Sequence, residues 1–146
     1  MSGATEILPG LWIGDEYTAR NKDFFIKHNI RRCINVTPDV PCLFPWVQYL
    51  RISVGDSTSM NNQKIMADAI PHCIPFIGTP SRSSAVLVHC QMGVSRSATV
   101  VVAYLRSCCF KSIAQSIQFV LSKRRICFFG GKYVNFRKAL EYVFTS

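Results

Sequence analysis

One stretch of this 146-residue chain carries the residue types that could do chemistry: Val86-Leu87-Val88-His89-Cys90-Gln91-Met92-Gly93-Val94-Ser95-Arg96-Ser97. It opens on an apolar run and closes on the start of another, Ala98 to Leu105. The flanks predict a buried strand feeding a helix through a short loop. A loop of that kind can turn its backbone N–H groups inward and hold an anion at the helix N-terminus. The same dipoles stabilise a thiolate, so a cysteine at the base of the loop should ionise easily. The loop has the parts to hold a phosphate and attack it.

The elements around the loop must position it. Ile7 to Ile13, interrupted by Pro9-Gly10, reads as a short strand pair or an edge strand. A short helix can begin over Asp15 to Ala19, and a second is expected over Lys22 to His28. Arg32 to Val36 reads as a strand stopped by Thr37-Pro38-Asp39, and Val40 to Trp46 as a loop with two prolines. Val47 to Val54 favours a strand, and Gly55-Asp56-Ser57-Thr58-Ser59 a loop after it. A helix capped by Asn61 or Asn62 is predicted to run to about Ile77, kinked by Pro71 and Pro75. Ala85 to Val88 is the most strand-like run, and Arg96 to Cys108 reads as a buried helix. Ser112 caps a further helix ended by Gly130-Gly131, and Tyr133 to Val143 forms the last. Strands alternating with helices imply an α/β fold, a mostly parallel central sheet with helices on both faces. The length fits a single domain over residues 1–146.

Composition narrows the function classes. A hydrophobic fraction of 49% against 17% charged residues describes a globular chain rather than a disordered one. No apolar run is long enough to cross a membrane, and neither a signal peptide nor a lipidation pattern is read, so no membrane anchor is expected. Cytoplasmic placement is expected, with the nucleus as the alternative. The seven cysteines include no Cys-x-x-Cys pair and no zinc-site spacing, so no metal and no cofactor are expected. Apart from Cys90 they read as buried, reduced thiols. The net charge of +9 suggests an acidic partner. The basic residues are scattered and follow no nucleic-acid motif, so a phosphorylated substrate accounts for the charge better than nucleic acid does. Oligomeric state is not legible.

His89-Cys90-x-x-Gly93-x-Ser95-Arg96-Ser97-Ala98-Thr99 resembles the signature of the cysteine-dependent protein phosphatases, in the form of the dual-specificity branch. The similarity extends over nearly the whole chain. Ile7 to Gly14, Ile34-Asn35-Val36-Thr37, Ala103-Tyr104-Leu105 and Ser112 to Arg124 resemble the corresponding family segments. The resemblance implies that Cys90 attacks phosphorus and forms a phosphocysteine. The N–H groups of Gln91, Met92, Gly93, Val94, Ser95 and Arg96 would bind the phosphate oxygens, and Arg96 would add a planar two-pronged clamp. Ser97 would hydrogen-bond the thiolate and ease its departure. His89 would orient the loop without transferring a proton.

The leaving oxygen needs an acid, and the chain has eight acidic residues. Val54-Gly55-Asp56-Ser57 resembles the family's acid loop, which makes Asp56 the expected proton donor and then the base for water. Phosphorylated proteins are the expected partners, at tyrosine and at serine or threonine. Two other readings stand beside it. One is a binding module that captures phosphoproteins with little turnover. The other is a phosphatase for lipid or glycan phosphate, which the uncharged Gln91, Met92 and Val94 disfavour for an inositol headgroup. Met92 stands where the family commonly has alanine. Arg125 to Gly131 replaces a segment that usually contains Pro-Asn. Asn35 could support the loop or simply end a strand, and Arg124, though at a family position, reads as a salt-bridged or solvated side chain.

Overall fold

The computed structural model describes residues 3–131 and 134–145. Its five strands form one sheet in the order β1-β2-β5-β3-β4. β1 (Ala4–Leu8) pairs antiparallel with β2 (Leu11–Gly14), and every other pairing is parallel, which is the expected α/β architecture. The Pro9-Gly10 turn joins the antiparallel pair. Gly10 has φ +82°, and a Cβ there would lie 2.3 Å from the Ser81 backbone, so only glycine fits the turn and the close approach.

β5 (Ala85–His89) is the central strand and all five of its residues are buried. That is why it reads as a continuous apolar run rather than an alternation. Val86 and Val88 face a core shared with α3 (Met60–Ile77), α4 (Arg96–Cys108), α5 (Ile113–Lys123) and α6 (Arg137–Thr145). Ala85 and Leu87 face a smaller core built on Phe25 of α2 (Lys22–Lys27), Cys33 of β3 (Ile30–Asn35), and Phe44 and Val47. Helices thus cover both faces. α1 (Glu16–Ala19) begins at Asp15 directly after β2. Burying each Val or Leu of β5 contributes roughly 1.5–3 kcal/mol, so this strand anchors whatever its C-terminal end presents.

Several expected boundaries move. The strand read over Val47 to Val54 is only Gln48–Arg51, β4. Ile52 and Val54 are buried off the strand's end, which is why the apolar pattern continued. α3 starts earlier than expected because Ser59 is its cap, accepting from the Asn62 N–H, and it runs without a break through Pro71 and Pro75. α5 stops at Lys123, well before Gly130-Gly131. The last helix begins at Arg137 rather than Tyr133, and Tyr133 itself lies outside the described residues. No helix among the described residues is long and apolar enough to cross a membrane.

Candidate active site

The loop from Cys90 to Ser95 sits where the parallel strands β2, β5 and β3 end together. His89 closes β5 between Gly14 of β2 and Asn35 of β3. In open α/β sheets the crevice beyond the strands' carboxyl ends is the usual ligand position. Here the loop leads from β5 into α4, whose capping residue Ser95 makes no side-chain capping bond. Its hydroxyl instead donates to the Val134 carbonyl at 2.9 Å.

The carbonyls of Gln91, Met92, Gly93 and Val94 are all taken from outside the loop. Gln91 O accepts from the Glu16 N–H at 2.9 Å, and Val94 O from the Phe128 N–H at 2.8 Å. Gly93 O accepts from Arg124 Nε at 2.8 Å, and Met92 O from Arg124 Nη2 at 3.5 Å. Carbonyls held outward leave the amides on the inner side of the turn, the arrangement of an anion-binding nest. The Gly93 N–H points at the cysteine, 3.3 Å from Cys90 Sγ. Ser97 Oγ is 3.2 Å from the same sulfur. Gly93 has φ +70°, and a Cβ there would meet Gly14 O at 2.7 Å and Arg124 Nη2 at 2.8 Å, so the turn excludes any side chain.

Arg96 is buried, and its Nη1 donates to the Val54 carbonyl at 3.0 Å. That bond ties the first turn of α4 to the segment leading into Asp56. Asp56 lines a small cleft, about 20 Å³, together with Cys90, Gln91, Met92, Val94, Ser95 and Arg96. The exposed side chain of Met92 stands beside this opening. All the residues singled out in the sequence therefore gather at one place. Asp56 comes from the loop after β4, His89 from the end of β5, and the others from the turn and α4. A roomier groove of about 320 Å³ between α3 and α6, lined in part by Met60, Gln63 and Tyr142, holds no thiol.

His89 is buried, and its Nδ1 lies 3.3 Å from the Cys90 carbonyl. A carbonyl only accepts, so Nδ1 carries the proton and donates. Burial lowers the imidazole pKa to about 4, against the opposing pull of that carbonyl; Arg51 and Arg96 lower it further. The ring is therefore neutral near pH 7 and serves as a fixed donor. The sign of the linked stability follows. The unfolded chain binds this proton below about 6.5 and the folded chain only below about 4. His89 should therefore cost stability progressively as pH falls through that window, by on the order of 3 kcal/mol in all. Urea midpoints measured from pH 7 to 4 check it. His89→Gln should flatten that part of the profile, and an unchanged profile would refute the assignment.

Arg124 is the residue whose role the sequence hid. It is 4% exposed, and among the described residues it forms no salt bridge, in contrast to the expected solvated or salt-bridged side chain. Besides Gly93 O and Met92 O, it donates to Thr5 Oγ1 at 2.9 Å and Gly3 O at 3.3 Å, bracing the turn against the N-terminal segment. Its place among Lys123, Arg124 and Arg125 made it look like part of a surface charge run; the match to a family position was the available signal. Asp15 is likewise buried, accepting from the Thr18 N–H and hydroxyl and from the Gly3 N–H. Asn35 shapes the β3–β4 connection, donating to Val40 O and accepting from Thr37 Oγ1. Of the remaining thiols, Cys42, Cys108 and Cys109 are exposed rather than buried as expected, while burial raises the pKa of Cys33, Cys73 (to about 12) and Cys127 (to about 11), so these three stay protonated.

Residues 11–140 match the family described as dual specificity phosphatase, catalytic domain. The chain is 34% identical over 142 residues to Protein phosphatase Slingshot of Drosophila melanogaster, covering 97% of this chain and 13% of that protein. It is 36% identical over 123 residues to Dual specificity protein phosphatase 7 of Homo sapiens, covering 82% of this chain and 28% of that one. The crystal structure of DUSP15 superposes with a TM-score of 0.77 at 28% identity, over 97% of this chain and 87% of that chain. The chain belongs to the dual-specificity phosphatases of the cysteine-dependent protein-tyrosine phosphatase superfamily. It spans only a fraction of the length of these two curated relatives.

Proposed function

We propose that residues 1–146 form one catalytic domain that hydrolyses phosphotyrosine and phosphoserine or phosphothreonine in proteins through a phosphocysteine on Cys90. The observation that carries this reading is the sulfur's setting. It lies at the base of a turn whose Gln91 to Val94 carbonyls are held outward, within reach of the Gly93 N–H and the Ser97 hydroxyl. In the first step the Cys90 thiolate attacks phosphorus and the bond from phosphorus to the leaving oxygen breaks. Asp56 delivers its proton to that oxygen. In the second step water attacks phosphorus, the Asp56 carboxylate takes the water's proton, and the S–P bond breaks to release phosphate. The Ser97 hydroxyl donates to the departing thiolate. The loop amides and Arg96 bind the non-bridging oxygens throughout, gaining most where charge builds up. His89 holds the Cys90 carbonyl and exchanges no proton.

The small cleft and the uncharged side chains of Gln91, Met92 and Val94 support protein phosphoesters over inositol phosphates. Seven free thiols fit a reducing compartment, the cytoplasm or nucleus. Purified protein should release phosphate from phosphotyrosyl and from phosphoseryl or phosphothreonyl peptides. An alkaline denaturing quench during turnover should leave phosphate covalently on Cys90, identified by peptide mass. Hydrolysis of phosphotyrosyl peptides alone would remove the dual specificity, and turnover with no trapped phosphocysteine would remove the mechanism.

A further inference from the structure

Asp56 sits in a loop of small, exposed residues, and such a loop does not hold a carboxylate still by itself. One side chain brackets it. Asn62, in the first turn of α3, accepts the Gly55 N–H on Oδ1 at 3.3 Å. Its Nδ2 donates to the Ser57 hydroxyl at 2.7 Å and the Ser57 carbonyl at 3.3 Å. The residues immediately before and after Asp56 are thus tied to one amide group. The amide's orientation follows from the partners, because the reverse would set its oxygen against the Ser57 carbonyl and its NH2 against the Gly55 N–H. Asn62 also lies against the Gly55 backbone, where a Cβ would come within 3.3 Å of Nδ2.

In a capping box the Glu or Gln at the third position of a helix reaches back to the capping residue's own amide. Here the Ser59 N–H is met by Ser57 Oγ instead, and the Asn62 side chain passes on to the acid loop. The loop's other end is held by Arg96, through the Val54 carbonyl. Residues 54–57 are therefore pinned from the phosphate-binding side by Arg96 and from the helix side by Asn62.

Resting on the reading of Asp56 as the acid, we infer that Asn62 is a positioning residue for general acid catalysis: its amide fixes the backbone on both sides of Asp56 so that the carboxyl stays over the leaving oxygen. The effect is on proton delivery, not on phosphate binding. It should therefore grow as the leaving group worsens, because a good leaving group departs with little help.

The test compares phenyl phosphate, a poor leaving group, with p-nitrophenyl phosphate, a good one. Asn62→Ala should lower kcat/KM on phenyl phosphate about tenfold and on p-nitrophenyl phosphate less than about threefold, with inhibition by inorganic phosphate unchanged. Adding Asn62→Ala to Asp56→Ala should cost nothing further on either ester. Ser57→Ala removes one of the three bonds and should show the same pattern at about a twofold size, which keeps the inference open to refutation if Asn62→Ala does not fold. Equal losses on both esters, or an Asn62 effect that adds in full to that of Asp56→Ala, would overturn the inference while leaving the phosphatase reading in place. A wild type that turns over neither ester would overturn both.

Discussion

Cys90→Ser should abolish turnover, lowering kcat by about 10,000-fold or more, a loss of at least about 5 kcal/mol of transition-state stabilisation. The substitution changes one atom at the base of the turn. A hydroxyl there can still accept from the Gly93 N–H and meet Ser97 Oγ, as the sulfur does now at 3.3 and 3.2 Å. The geometry of the anion site should survive, and so should its affinity. What is lost is the nucleophile, because a serine hydroxyl does not ionise near neutral pH and its partners among the described residues are a hydroxyl and an N–H, neither of them a base. His89 is committed to the Cys90 carbonyl and is neutral. The measurement is paired: initial rates on an aryl phosphate, and calorimetric binding of a phosphopeptide to the variant. Retained binding with lost turnover is the expected pair. Equal rates in wild type and variant would remove Cys90 from the chemistry.

Arg96→Lys should lower kcat/KM by about 100- to 1,000-fold although the charge is kept. A guanidinium can hold the Val54 carbonyl with Nη1, as observed at 3.0 Å, and present its remaining N–H groups to a phosphate as a planar fork. An ammonium is a point donor and cannot do both. The buried Val54 carbonyl would lose its partner, at about 1–3 kcal/mol of stability. The variant should therefore show a lower thermal midpoint together with weaker inhibition by inorganic phosphate. A variant within about threefold of wild type on kcat/KM, with an unchanged midpoint, would place Arg96 outside the anion site.

How much of this was visible beforehand varied with the kind of interaction. β5 was plain because burial on both faces leaves an unbroken apolar run, and the turn after it was plain because chemistry needs Cys90, Gly93 and Arg96 at fixed spacing. The ends of helices were less plain. Ser59 takes the capping position that Asn61 or Asn62 was expected to hold, since several small polar residues in a row can each cap and only the tertiary packing selects one. Arg124 was misjudged for a related reason. A guanidinium is normally solvated, and its burial depends on carbonyls of Gly93 and Gly3, which are distant in sequence and invisible to any local pattern. Asn62 illustrates the same limit, for its value lies in a backbone it reaches across a loop.

The outward grip on the loop's carbonyls has a consequence for how the domain can fail. The partners are drawn from α1, the end of α5, the segment after it and, through Arg124, the chain's first described residues. The shortest contiguous stretch that contains them all runs from Gly3 to Phe128. The nest therefore needs the N-terminal segment and the segment after α5 docked at the same time, and a fragment lacking either has no complete site to offer. A copy of this domain with either segment undocked would be silent rather than sluggish, making phosphate binding a report on the joining of the N-terminal segment to the end of α5.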